Sequence, residues 1–107
     1  MPSTTICRGN ILSYTVIQVS ITPAATAAST SAAQTFTVPG LVTTDIVNVQ
    51  CSGAQTAGIF IADARVSADN ILSIQFGNCT VSSATAASGN YIVEVIDVEG
   101  PYPSTAN

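Results

Sequence analysis

The feature that most constrains the fold is a pair of β-type runs joined by a short polar turn, within residues 57–79. The second run alternates cleanly. Leu72, Ile74 and Phe76 fall on one parity, and Ser73 and Gln75 on the other. A period of two places successive side chains on opposite faces of a strand. In the first run Ile59 and Ile61 share one parity, while Ala62, Ala64 and Val66 share the other. That phase change predicts a bulge or face switch near Ile61–Ala62. Residues 67–70, Ser-Ala-Asp-Asn, close the hairpin with turn-forming side chains.

The rest of the chain repeats this pattern. Residues 11–22 form a first strand, in which Tyr14 and Val16 lie on one parity and Ile17, Val19 and Ile21 on the other. The switch at Val16–Ile17 predicts a bulge, or a strand buried on both faces. Residues 23–33 consist of Pro, Ala, Ser and Thr and read as an extended loop. Residues 34–38 alternate, with Phe36 and Val38 inward, and Pro39-Gly40 ends that strand in a turn. Residues 45–51, 71–81 and 91–98 supply further strands, and residues 82–88 a second Ala/Ser/Thr loop. Gly100-Pro101-Tyr102-Pro103 reads as an extended tail. Short strands with turn-rich connections predict an all-β fold, a small antiparallel β-sandwich or barrel of about six to eight strands. Residues 1–10 are expected as an arm, 11–99 as the β domain and 100–107 as a tail. At 107 residues there is material for one domain with a real core.

Charge excludes whole classes of function. Only 7% of residues are charged, against about a quarter in an average soluble domain. Lys, His and Trp are absent, and six carboxylates outweigh Arg8 and Arg65 to give a net charge of −4. A phosphate backbone requires a cationic surface, so nucleic acid is not an expected partner. No apolar run reaches the length of a membrane-spanning helix. No secretory signal is expected in residues 1–5, which lack a charged region leading into an apolar one. A surface made of Ser, Thr, Asn, Gln and Ala costs little to desolvate, which suits burial against other proteins.

The candidate chemistry is sparse. Cys7, Cys51 and Cys79 are an odd set with no zinc spacing, and they read as small apolar fillers in a reduced protein. Without His, no Ser or Cys has the usual activating base. Asp63, Asp69, Glu94, Asp97 and Glu99 are the carboxylates available for acid–base work, but the chain lacks the Trp platforms of a sugar site. Solvated charge and turn capping explain them more simply. Asp97 and Glu99 share a face and offer too few oxygens for Ca²⁺ on their own. Arg65 follows Asp63 by two positions, so both belong on one face of a strand. An ion pair of Arg65 with Asp63 or Asp69, fastening the turn or a neighbouring subunit, is the expected role of these three residues. Asn78-Cys79-Thr80 fits a glycosylation sequon, which without a secretory signal is expected to be unused. No enzyme activity and no cofactor are expected.

Several segments together resemble small structural proteins of tailed bacteriophages. They are Thr35-Phe36-Thr37-Val38-Pro39-Gly40-Leu41, Thr44-Asp45, Gly58-Ile59, Ala64-Arg65-Val66-Ser67-Ala68, residues 72–80 and residues 88–95. In that group an Ala-Arg-Val-Ser-Ala turn precedes a strand ending in Phe-x-Asn-x-Thr, and Gly-x-Tyr opens the last strand. The likeness covers about residues 34–96. It implies a β-rich virion component made in the bacterial cytoplasm and placed on the capsid surface. The nearest analogues are capsid decoration (cement) proteins, often homotrimeric, whose partner is the major capsid protein. The alternative is a head- or tail-fibre module that binds a host receptor or glycan. On the first reading, docking contacts are expected in residues 1–10, 23–33 and 100–107.

Overall fold

A computed structural model describes residues 9–105. The eight strands are β1 (Ile11–Ile21), β2 (Ala25–Thr26), β3 (Thr30–Thr37), β4 (Ile46–Cys51), β5 (Ile59–Ala68), β6 (Ile71–Asn78), β7 (Ala84–Thr85) and β8 (Gly89–Val98). All pairings are antiparallel, and no described residue is helical. One sheet has the order β1-β8-β4, the other β3-β6-β5, and β2 pairs with β7. The protein is therefore the expected all-β, antiparallel sandwich.

The pairing is nested. The first strand pairs with the last, β2 with β7 and β3 with β6, while β4 and β5 lie side by side. The chain is thus one long ribbon folded back on itself, as in jelly rolls, although here β4 joins the sheet of β1 and β8. The inward faces of β6 and β8 meet at the centre. Leu72, Ile74 and Phe76 from β6 and Tyr91 and Val93 from β8 have no exposed surface. The rings of Phe76 and Tyr91 meet edge to face, with centroids 6.4 Å apart and planes at 80°. That geometry suits the aromatic quadrupoles and adds to the area they bury.

Bulges decide which face each residue takes. In β5 the register shifts between Ile61 and Asp63, where the phase change in the sequence predicted it. Phe60 pairs with Gly77, and its ring covers the glycine so closely that an added Cβ would lie 2.3 Å from it. In β1 the expectation is corrected. The ladder runs without a shift through Val16 and Ile17, and the bulge lies between Ile11 and Ser13. Nor is β1 buried on both faces. Ile17, Val19 and Ile21 pack on the core, while Tyr14 and Val16 stand exposed on the outer face.

The two Ala/Ser/Thr segments are also corrected. Residues 23–33 hold β2 and the first residues of β3, and residues 82–88 hold β7. The segments pair with each other, Ala25 opposite Thr85 and Thr26 opposite Ala84. Their small side chains let two backbones approach where the ribbon turns from one sheet to the other. Asn78 stitches this corner. Its Nδ2 donates to the carbonyls of Thr26 and Ser82, both at 3.0 Å. Its Oδ1 accepts from the Thr80 N–H at 2.9 Å.

Tyr91 closes the same end. Its hydroxyl donates to the Ala87 carbonyl at 2.7 Å, four residues upstream, and accepts from Gln55 Nε2 at 3.0 Å. This resembles the tyrosine corner of other β-sandwiches. Gln55 Oε1 in turn accepts from the N–H groups of Thr56 and Ala87. Burial pushes the Tyr91 phenol above its ordinary value of 10.0, and nearby Cys51 pushes it the same way, against a lowering bond from Gln55. A raised native value means that the unfolded state loses its proton first as pH rises. The stabilisation is complete below about pH 10 and disappears as pH rises through the native value. The wild type is therefore expected to lose urea stability above about pH 10, and Tyr91→Phe to show a shallower decline from a lower starting point. Urea midpoints measured at a series of alkaline pH values test this.

Candidate functional site

The sandwich has unlike ends. At the Tyr91 end, residues 52–58 and 78–90 cross-link the sheets through backbone and side-chain hydrogen bonds. At the other end, the first half of β1 and the last part of β8 continue as a two-stranded ribbon. Every residue of β1 from Ile11 to Val16 is exposed. The molecule extends 55 Å along its long axis and only 26 and 23 Å across. Its radius of gyration is 16.4 Å, against about 13 Å for a compact domain of this length.

The ribbon has two different faces. On the inner side, Ser13, Thr15 and Ile17 of β1 and Val95 and Asp97 of β8 face residues 39–42 and Asp45 across a groove of about 390 Å³. The loop that walls it is clipped to the β5–β6 turn. Asn70 accepts from the Gly40 N–H through Oδ1, donates its own N–H to the Leu41 carbonyl and accepts from the Val38 N–H, each at 2.8 Å. Asn70 holds φ +66° and Gly40 φ +97°, left-handed conformations that Asn and Gly tolerate best. Asp45 is partly committed, since its Oδ2 accepts from the Val42 N–H at 3.1 Å. The groove has no aromatic wall and no basic group, so it lacks both a stacking platform and an anion site.

The outer face is apolar. Cross-strand register places Tyr14, Ile96 and Ile46 in one row, and Val16, Glu94 and Asn48 in the next. The Tyr14 hydroxyl donates to Glu94 Oε2, so the one carboxylate on this face is engaged. Ile11, Leu12, Tyr14 and Val16 are each more than half exposed, and Ile46 is 42% exposed. Tyr102 adds a further exposed ring, and its hydroxyl donates to the Thr44 carbonyl. The tail thus lies against the β3–β4 loop, beside this face. Single exposed apolar residues are ordinary, but a contiguous set marks a surface that meets something.

The residues singled out from sequence take other places. Asp63 and Arg65 do share the exposed face of β5, opposite Gln75 and Ser73. Among the described residues no ion pair joins them, and both side chains remain exposed on that face. Asp69 lies exposed in the β5–β6 turn, where the anchoring side chain is its neighbour Asn70. Among the described residues no three Cys, Asp or Glu side chains converge on one point. Cys51 packs partly buried against the core. Cys79 is exposed, not a filler, and its thiol donates to the Gly58 carbonyl. Cys7 lies outside the described residues. The sequon at Asn78 is closed, because the amide nitrogen is buried and already donates two hydrogen bonds.

Sequence reasoning missed the row of Tyr14, Ile96 and Ile46. The available signal was that residues 11–21 carry no charge although half of them must face outward. No protein-family model, curated protein or solved structure matches the chain. The apolar ribbon is therefore weighed on its own physics. If Leu12 and Val16 serve contacts outside the fold, replacing them leaves the fold intact. Leu12→Ser and Val16→Thr are each expected to change stability by no more than about 0.5 kcal/mol. Ile74→Ala, inside the core, is expected to cost about 2–5 kcal/mol. Chemical denaturation of the three variants measures the contrast.

Proposed function

We propose that this chain is a virion structural protein, a capsid decoration protein that binds the major capsid protein of a phage head as an oligomer. The observation that carries this reading is the exposed apolar outer face of the β1–β8 ribbon on a domain with almost no charge. A surface of that kind gains from being covered, and its low desolvation cost favours a protein partner. The resemblance of residues 34–96 to tailed-phage structural proteins supplies the kind of partner. Such a protein would be made in the bacterial cytoplasm and end on the capsid surface. Its action is mechanical and uses no cofactor or catalysis. By binding only the assembled shell it stabilises that state by mass action, and several linked copies strengthen the attachment without one tight site.

Residues 23–33 hold β2 and the start of β3, and apart from Pro23, Thr26 and Ala28 they are exposed, so they stay within the proposed docking surface. The ribbon joins them, together with the tail from residue 100 that lies beside it. Residues 1–8 are outside the described part of the chain.

Heads of the encoding phage, stripped of this protein, provide the test. Added protein is expected to sediment with the shells and to raise the temperature at which they break. Leu12→Ser combined with Val16→Ser is expected to lower occupancy at least tenfold while the fold persists. Folded protein that stays in the supernatant, or antibody labelling of the tail instead of the head, overturns the reading.

A further inference from the structure

We propose that two copies of this chain join through the free edges of β1, pairing antiparallel about Tyr14 to make one continuous sheet. The inference does not rest on the capsid reading, and its test contains no capsid.

The four edges of the two three-stranded sheets are unequally protected. β1 and β4 bound one sheet, and β3 and β5 the other. Proteins shield exposed edges with charge, bulges, short length or polar side chains. β5 carries Asp63 and Arg65 and two bulges. β4 has six residues and lies against β5. β3 shows solvent only Thr, Ser, Ala and Gln side chains before Phe36. β1 is 11 residues long with no charge, no Pro and no Gly, and its large apolar side chains are exposed. Its one bulge lies at the outer extremity, beside Leu12.

The occupant follows from symmetry. A two-fold axis normal to a sheet keeps each residue on its own face, so opposed residues have equal parity and their numbers sum to an even value. The axis then passes through one residue and its copy. Centring it on Tyr14 sets Tyr14 against Tyr14, Ser13 against Thr15 and Leu12 against Val16. Apolar meets apolar and hydroxyl meets hydroxyl from Leu12 to Val16, where the bulge ends the match. Centring it on Val16 sets Tyr14 against Gln18 and Leu12 against Ser20, and centring it on Thr15 sets Leu12 against Gln18. Only the Tyr14 register matches at every position. It also extends the apolar row across the junction, as Ile46-Ile96-Tyr14 followed by the same three residues in reverse.

Charge and size fit a second copy. Two chains of net charge −4 repel at long range, but the seam itself is uncharged, so no like charges are forced together. A basic or acidic partner finds no counter-ion along β1. A standard interface uses about a tenth of a small protein's surface, here roughly 600 Å² of 6323 Å². A seam of five paired residues is short against that area, so the dimer is expected to be reversible. The edge favours two-fold assembly over the three-fold arrangement that the resemblance implies.

A cysteine at the axis tests the geometry. Directly opposed residues of antiparallel strands have Cα atoms about 4.5–5.5 Å apart, within the range a disulfide spans. In a background of Cys7→Ser, Cys51→Ser and Cys79→Ser, Tyr14→Cys is expected to form a covalent dimer under mild oxidation. Gln18→Cys, which faces Asn10 in this register, is expected to remain unlinked. Sedimentation velocity on the wild type is expected to show a monomer that doubles in mass with concentration. Val16→Lys is expected to remain monomeric with an unchanged circular dichroism spectrum. A wild type that is monomeric at every concentration overturns the proposal, as does a trimer or equal cross-linking at positions 14 and 18.

Discussion

The contact between Tyr91 and Phe76 is the one on which the rest of this structure depends. Each ring lies on the central strand of its own sheet, and together they set how the two sheets face one another. The Tyr91 hydroxyl also binds both Gln55 and the Ala87 carbonyl. Gln55 orders residues 55–58 ahead of β5, and Ala87 lies just before β8. One side chain thus ties the inter-sheet core to two connections. The buried ring supplies most of the apolar area, and the paired hydroxyl removes the penalty that a lone buried phenol would carry.

An asymmetry follows from this placement. The ribbon folds back once, so its corners gather at one end, where small residues permit close backbone approach and Asn78 satisfies the freed carbonyls. Gly58 belongs to the same corner. It has φ +80°, and an added Cβ would lie 2.2 Å from the Thr80 methyl. At the opposite end Asn70 clips the groove loop to the β5–β6 turn, whereas the outer parts of β1 and β8 hold each other through their ladder, the Tyr14–Glu94 bond and the bond from the Glu99 N–H to the Asn10 carbonyl. At the first end Val81 is exposed on its own, whereas at the second Ile11, Leu12, Tyr14, Val16 and Ile46 lie exposed together. That grouping is what the functional reading interprets.

Much of the fold is legible in the sequence because strands write a period of two. The alternation of Leu72, Ile74 and Phe76, the turn at Asp69–Asn70 and the phase change at Ile61–Ala62 all survive into the structure. Residues 23–33 and 82–88 were illegible because Ala, Ser and Thr carry no face preference. Only their mutual pairing, Ala25 with Thr85 and Thr26 with Ala84, far apart in the chain, makes them strands. The phase change in β1 misled for a different reason. Tyr14 and Val16 look like core residues, and the only sign that one apolar face is destined for the outside is the absence of charge on residues 11–21. Arg65 and Asp63 do share one face as their spacing predicts, but an exposed ion pair contributes at most about 1 kcal/mol, too little for sequence to fix.

The central claim is that the Tyr91 end of the sandwich is cross-linked between its sheets, while the outer parts of β1 and β8 rest mainly on their own ladder. Native-state hydrogen exchange in dilute solution tests it most directly, because it reads the opening free energy residue by residue. The amides of β6 and of residues 90–93 are expected to exchange only through global unfolding. Those of residues 13–16 and 95–98 are expected to exchange through a smaller, local opening. Uniform protection along the whole of β1 and β8 would contradict the account.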